Sequence, residues 1–127
     1  MRFCTVINCM DGRVQLPVIT YLKQRFNVDH VDSITEPGPN IILAEQNNYF
    51  LVQSIIDRLK ISIEKHKSVG VAVVGHHDCA GNPSPKEEQI VHIQKAMAFL
   101  RQQIGDTKVI GLWVDQNWVV NEIMLHG

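Results

Sequence analysis

Residues 69–75 read VGVAVVG and are followed at once by HHDCAG, residues 76–81. A nearly all-apolar run of this length is typical of a strand that is buried on both faces of a parallel sheet. A second apolar run, residues 3–9, also predicts a strand, and it leads into NCMDGR, residues 8–13. Each of these two strands therefore carries reactive side chains at its carboxyl end.

The rest of the chain alternates between predicted helix and strand. Apolar residues at helical spacing predict a helix over 16–26, and a short strand is predicted over 30–35 before a loop at 36–40 that is rich in proline and glycine. The later segments are a helix in two pieces over 41–65, a turn-rich loop over 78–86, a helix over 90–104, a strand over 108–114 and an apolar tail of ambiguous structure over 118–125.

This alternation predicts an α/β fold of three layers, in which a mostly parallel central sheet of about four strands has helices on both faces. The length of 127 residues suits a single domain spanning 1–127. If the first strand is central, the second and third flank it. The crevice between strands one and three is then the switch point at which open α/β sheets bind ligands. NCMDGR and GHHDC are expected to meet there.

Composition argues against several classes of partner. The formal net charge is −1 and no basic stripe is present, so nucleic acid and anionic membranes are not expected partners. No apolar run approaches the roughly 20 residues of a membrane span, and the first residues turn polar too soon for a signal peptide. We therefore expect a cytoplasmic protein. Its three cysteines, an odd and low number, favour metal binding or reactivity over a disulfide framework.

Cys9, His76 and Cys79 together offer two thiolates and an imidazole. Zinc favours tetrahedral sites of nitrogen and sulfur, and three protein ligands with one open position are typical of a catalytic zinc ion. The soft donor set argues against Mg²⁺ and Ca²⁺. We therefore predict a Zn²⁺ site. The alternative is that both cysteines are core thiols, which is the interpretation we prefer for Cys4 inside the first strand.

Asp11 and Arg13 lie two residues apart, where a carboxylate and a guanidinium can pair. Arg13 would keep Asp11 ionised and fixed, and Asp11 would either orient a zinc-bound hydroxide or fill the fourth zinc position itself. A purely structural turn pair is the alternative.

Four further side chains receive structural interpretations. His77 is expected either to be structural or to orient the metal ligands without binding the metal itself. Asp78 is expected to cap a turn. Trp113 and Trp118 are expected to be core or interface aromatic residues.

Cys-x-Asp-x-Arg at 9–13 and His-x-x-Cys at 76–79, each after a strand, resemble the β-class carbonic anhydrases, and the similarity extends along nearly the whole chain. The resemblance implies a zinc lyase that hydrates CO₂ to bicarbonate. It implies that Cys9, His76 and Cys79 bind the zinc ion and that Asp11 and Arg13 act on the fourth zinc position. It also implies a homodimer or a higher homo-oligomer.

The chain departs from that family at two loops. Thr35, Glu36 and Pro37 replace most of an Arg-Asn-Ala-Gly-like run, and Ala80 follows Cys79 where the family usually has glycine. Three alternatives therefore stay open. The first is a zinc-binding homologue that has lost catalysis and serves in binding or regulation. The second is an enzyme for a related small molecule such as carbonyl sulfide. The third is a metal-free redox module of Cys9 and Cys79.

Overall fold

The computed structural model describes residues 1–124 and contains a five-stranded sheet of order β2-β1-β3-β4-β5. The strands are β1 Phe3–Cys9, β2 His30–Glu36, β3 Gly70–His76, β4 Lys108–Val114 and β5 Val120–Ile123. The helices are α1 Gln15–Arg25, α2 Pro39–Glu45, α3 Tyr49–His66 and α4 Lys86–Ile104, with a short 3₁₀ turn at Gly12–Val14.

The sheet separates two apolar layers, as the sequence predicted. One layer packs side chains of α2, α3 and α4 against residues such as Ile7 and Val73, and the other packs α1 against residues such as Val6 and Val74. Neighbouring residues of β1 and β3 thus face opposite sides of the sheet. Every residue of β3 is buried, which confirms the interpretation of VGVAVVG as a central strand.

The predicted switch point is confirmed. β1 pairs in parallel with β2 on one side and with β3 on the other, through register pairs such as Ile7 with Ile34 and Ile7 with Val73. Because parallel strands end at the same edge of a sheet, the carboxyl ends of β1 and β3 lie side by side. The two motifs that follow these strands therefore meet.

Three details of the sequence prediction change, and the first is that α4 begins at Lys86 rather than at residue 90. The ambiguous tail contains β5, which pairs antiparallel with β4, while Leu125 lies outside the described residues. Only part of 36–40 is a loop, because Glu36 still belongs to β2 and α2 already begins at Pro39. Proline suits the first turn of a helix, where its missing N–H leaves no helical bond unmade. Within residues 1–124, no helix is long and apolar enough to cross a membrane.

The short strand β5 is fixed to α1 by polar contacts. Tyr21 Oη donates to Glu122 Oε1 at 2.8 Å, and Arg25 Nε donates to the same oxygen at 2.8 Å. The hydrogen bond from Arg25 lowers the pKa of Glu122 below its ordinary value of 4.5. A carboxylate with a lowered pKa stabilises the folded state above its unfolded-chain pKa, and this contribution is lost as the pH falls through the folded-state pKa.

We therefore expect Glu122→Gln to lower the free energy of unfolding at pH 7 by about 0.5–1 kcal/mol, the range of a partly exposed ion pair. The difference from wild type should shrink as the pH is lowered through and below 4.5. Urea denaturation at several pH values measures both effects. Glu64→Gln, an exposed glutamate on α3, is the control and should show neither. A difference that is independent of pH would contradict the assignment.

Candidate metal centre

Cys9, His76 and Cys79 form one buried cluster. Cys9 ends β1, His76 ends β3, and Cys79 follows three residues later, with 3%, 0% and 4% of their surfaces exposed. One ligand atom from each lies within 4.8 Å of the others, and the two Sγ atoms are 3.8 Å apart. A zinc ion with Zn–S bonds of about 2.3 Å at a tetrahedral angle holds two sulfurs about 3.8 Å apart. The spacing of the two thiols therefore fits zinc.

The imidazole of His76 is oriented for a metal. Its Nδ1 lies 2.7 Å from the carbonyl oxygen of His77, and because a carbonyl only accepts, Nδ1 carries the proton. Nε2 is then the nitrogen with a free lone pair. It is buried and has no hydrogen-bond partner within residues 1–124. A buried polar atom without a partner is costly, and a metal ion would satisfy it. The donor set therefore fits a soft divalent cation.

The cluster favours an anionic sulfur at Cys9. The hydrogen bond between the two thiols lowers the pKa of Cys9, an effect that burial opposes and that His76 and the backbone N–H groups of Gly38 and Asp11 reinforce. The same hydrogen bond and burial raise the pKa of Cys79. Cys4 differs, since burial raises the pKa of this thiol to about 11. Cys4 lies on β1 with its side chain in the hydrophobic core, as the sequence predicted.

The carboxylate of Asp11 is bound to Arg13. Oδ1 accepts from the backbone N of Arg13 at 2.9 Å and from Nε at 3.1 Å, and Oδ2 accepts from Nη2 at 2.7 Å. These hydrogen bonds lower the pKa of Asp11 to about 2. The carboxylate is not among the clustered ligand atoms. The loop itself is fixed by Gln15, whose Nε2 donates to the carbonyls of Cys9 and Asp11 at 2.7 and 3.0 Å.

Arg13 also contacts two residues, Asp78 and Trp118, to which the sequence analysis gave no direct part in the site. Asp78 was expected to cap a turn, but its carboxylate accepts from Arg13 Nη1 at 3.2 Å and its carbonyl accepts from Nη2 at 3.1 Å. Trp118 was expected to be a core or interface residue. Its partly buried ring packs against the core layer of α1, with its centroid 4.5 Å from the Arg13 guanidinium carbon and 6.4 Å from the centroid of the His76 ring.

No motif in the sequence points to Trp118. Trp118 lies in the turn between β4 and β5. Asp115 Oδ1 fixes this turn by accepting hydrogen bonds from the backbone N of Asn117 and of Val119. Trp118 itself has φ 61, a left-handed conformation that is uncommon for a bulky residue. Such backbone strain often occurs at functional sites. Trp113, by contrast, is buried in the core as predicted.

Comparison with known proteins now agrees with this geometry. A family model described as "Putative carbonic anhydrase" matches residues 1–124. The chain belongs to this carbonic anhydrase family. No curated protein matches the sequence.

Solved carbonic anhydrases share the fold. The β-carbonic anhydrase isoform I of Trichomonas vaginalis superposes with a TM-score of 0.66 at 14% identity, over 96% of this chain and 82% of that one. The carbonic anhydrase of Streptococcus mutans gives 0.67 at 16% identity, over 95% and 81%. A structure of tetrameric β-carbonic anhydrases from Sordaria macrospora gives 0.61 at 12% identity, over 94% and 79%. At sequence identities this low, the similarity establishes only that the fold is shared.

The departures from the β-class carbonic anhydrase pattern have local explanations. The carboxylate of Glu36 forms an ion pair with Arg58 of α3, which neutralises it. Ala80 is exposed, so its methyl group is accommodated. The position that requires glycine is the next one. A Cβ atom on Gly81 would lie 2.3 Å from the carbonyl carbon of Pro37. Gly38, with φ 66, makes the reciprocal close approach to Gly81.

The contact between Gly38 and Gly81 joins the loop after β2 to the loop after β3, and Cys79 lies in the second loop. Gly81→Ala should lower the free energy of unfolding by about 1–3 kcal/mol, because the new methyl group meets backbone that cannot move aside. Gly12→Ala in the neighbouring turn is the control, since a Cβ atom there meets nothing within 4 Å. It should change stability by no more than about 0.5 kcal/mol. Equal stability of the two variants in chemical denaturation would refute the close approach.

Proposed function

We propose that this chain is a zinc-dependent lyase that hydrates CO₂ to bicarbonate. The observation that carries the proposal is the buried cluster of two thiols 3.8 Å apart and an imidazole with an unpartnered Nε2, next to an ionised carboxylate. Membership of a carbonic anhydrase family supports the reaction class.

Cys9, His76 and Cys79 would hold the zinc ion. When bound, zinc acts as a Lewis acid that acidifies water and supplies a nucleophile near neutral pH. The hydrogen bond from His76 Nδ1 to the His77 carbonyl fixes the ring and keeps Nε2 as the donor atom. Such outer contacts raise the basicity and fix the orientation of metal-binding histidines. His77 therefore contributes through its backbone, while its side chain is exposed.

Asp11 would orient a hydrogen-bond donor beside the cluster of Cys9, His76 and Cys79. With its pKa lowered to about 2 by Arg13, it stays ionised throughout the neutral range and acts only as an acceptor. Each carboxylate oxygen receives two hydrogen bonds from Arg13: Oδ1 from the backbone N and Nε, and Oδ2 from Nη2 at 2.7 Å and Nε at 3.3 Å. Arg13 is itself held by Asp78 and by the face of Trp118. The carboxylate is thus presented in one fixed orientation, which is what positioning of a reacting group requires.

We further propose that the protein is a homodimer or a higher homo-oligomer. One of the similar structures is described as tetrameric. Exposed apolar side chains at Met10 and Leu16, 63% and 73% accessible, flank the loop that carries Asp11 and Arg13. A cytoplasmic location is proposed as well, since Cys4, Cys9 and Cys79 are all unpaired and a reducing compartment keeps thiols in that state.

The metal ligands can be tested by zinc content. Cys9→Ala, His76→Ala and Cys79→Ala should each purify with much less zinc than the roughly one ion per chain expected of wild type, since a three-ligand site loses a direct bond. Elemental analysis of the purified proteins measures this. Cys4→Ala is the matched control, because it removes a buried thiol of the same strand that lies outside the cluster. It should retain wild-type zinc.

Retention of zinc in all three ligand variants would refute the assignment. A wild-type protein without zinc, whose thiols react freely with an alkylating agent in the absence of a chelator, would instead favour the redox module of Cys9 and Cys79.

Catalysis can be tested separately with Asp11→Asn. The variant should keep its zinc, since Asp11 is outside the ligand cluster, but its CO₂ hydration rate should fall about 10- to 100-fold, the usual cost of losing a group that orients a metal site. Stopped-flow hydration between about pH 7 and 9 measures the rate. A rate equal to wild type would contradict the role of Asp11. A zinc-loaded wild type with no rate above buffer would favour the homologue that has lost catalysis, or another small substrate such as carbonyl sulfide.

A further inference from the structure

The side chain of Gln89 lies in the core beside the metal centre, although it belongs to neither motif. Gln89 is on the first turns of α4 and only 1% of its surface is exposed. A carboxamide at such a depth must find partners for its donors and its acceptor, because unsatisfied polar atoms in the interior are costly. The partners of Gln89 are concentrated at the end of β3 and in the loop after it.

Gln89 pairs with both main-chain groups of His76. Its Oε1 accepts from the His76 backbone N at 3.2 Å, and its Nε2 donates to the His76 carbonyl at 2.9 Å. The carboxamide therefore hydrogen-bonds both the N–H and the C=O of His76, as a residue of a neighbouring strand would. This double contact fixes the position and the rotation of the backbone from which the imidazole projects.

The same carboxamide holds the loop that carries Cys79. Nε2 of Gln89 also lies 3.1 Å from the carbonyl of Asn82 and 3.2 Å from that of Ser84, so its hydrogens are shared among three acceptors. Oε1 also accepts from Asn40 Nδ2 at 3.2 Å, and Asn82 Nδ2 donates to Asn40 Oδ1 at 3.3 Å. The buried amides thus link the end of β3, the loop after Cys79 and the start of α2.

The sheet makes room for this amide cluster at Gly75, the last residue of VGVAVVG. A Cβ atom there would lie 2.6 Å from Asn40 Nδ2 and 3.0 Å from Gln89 Oε1. Any larger residue at position 75 would displace one of the two amides. The glycine immediately before a ligand histidine therefore admits the side chain that holds that histidine's backbone.

We propose that Gln89 is a positioning residue of the metal centre, which sets His76 and Cys79 in their metal-binding arrangement before the ion arrives. The inference rests on the proposed metal site and adds to it a residue on a separate helix. A flexible ligand loses conformational freedom when it binds, so a preset arrangement raises affinity. The affinity for metal is then the property that responds to Gln89, whether or not the protein hydrates CO₂.

The test compares two variants of Gln89 with a matched control. Gln89→Met keeps much of the side-chain length and removes every hydrogen bond. Gln89→Glu keeps an acceptor for the His76 N–H but loses the donors to the His76, Asn82 and Ser84 carbonyls. The control is Ser62→Ala, which breaks a buried polar cluster at the opposite end of β1, where Ser62 Oγ contacts Thr5 Oγ1 at 2.6 Å and donates to Asp32 Oδ2 at 2.7 Å.

Zinc affinity is measured by competition with a chelator. The d–d bands of bound Co²⁺ are measured by absorption of the Co²⁺-substituted proteins. Both measurements are made at a temperature where circular dichroism shows each protein to be folded. We expect Gln89→Met to bind zinc about 10- to 100-fold more weakly, with altered d–d bands of bound Co²⁺, and Gln89→Glu to lie between it and wild type. Ser62→Ala should keep the wild-type zinc affinity and Co²⁺ spectrum, even if its melting temperature falls by as much as that of Gln89→Met.

Wild-type affinity and spectrum in both Gln89 variants would overturn the inference while leaving the metal site intact. So would an affinity loss in Ser62→Ala equal to that of Gln89→Met, since the effect would then follow general stability. If Gln89→Met does not fold, Gln89→Glu alone decides between these outcomes. A wild-type protein that binds neither zinc nor Co²⁺ would instead overturn the proposed function itself, and the inference with it.

Discussion

The parallel pairing of β1 with β3 is the constraint on which the rest of the structure depends. Three register pairs, from Thr5 with Val71 to Ile7 with Val73, bring the ends of two strands together that are far apart in sequence. Cys9 and His76 are the last residues of these strands, and the two thiols of the cluster come within 3.8 Å. A parallel sheet with helices on both faces cannot slip by one residue, because every buried side chain would change face. The register that forms the core therefore also fixes the candidate metal centre.

The loops that follow the strands are held by contacts to their backbone atoms rather than by packing of large side chains. Gly38 and Gly81 allow two loops to approach more closely than any side chain would permit. Gln15 anchors the carbonyls of the loop that carries Asp11, and Gln89 anchors the peptide of His76. Each carboxamide satisfies main-chain groups that a strand end leaves without partners. The loops around the candidate metal centre are thus held by hydrogen bonds to their backbone, as a site of fixed geometry requires.

The charged groups around the cluster form one connected set. Arg13 binds the carboxylates of Asp11 and Asp78 and lies against Trp118, so a single guanidinium joins the loop after β1, the loop after β3 and the turn before β5. Arginine suits this role because its planar group can donate in several directions and stack on an aromatic ring at once. Glu36, which introduces an extra carboxylate near the same edge of the sheet, is neutralised by Arg58.

Apolar patterning alone predicts the order of the elements as far as β4 and the burial of β3, and it brings the two motifs together provided that β1 is central. Apolar periodicity and motif spacing are local properties, and β3 in particular has a run of residues that only a strand buried on both faces would carry. The pairing of Asp11 with Arg13 and the spacing of His76 to Cys79 each lie within one motif, whereas Cys9 joins the candidate metal cluster only because β1 pairs with β3. The folded structure alone shows that Trp118 and Asp78 contact Arg13, that glycine is needed at 81 rather than 80, and that Gln89 hydrogen-bonds the backbone of His76. These contacts join residues from different elements, and no local pattern records them. They depend on how closely two loops approach and on which buried polar atoms still need a partner once the sheet has formed.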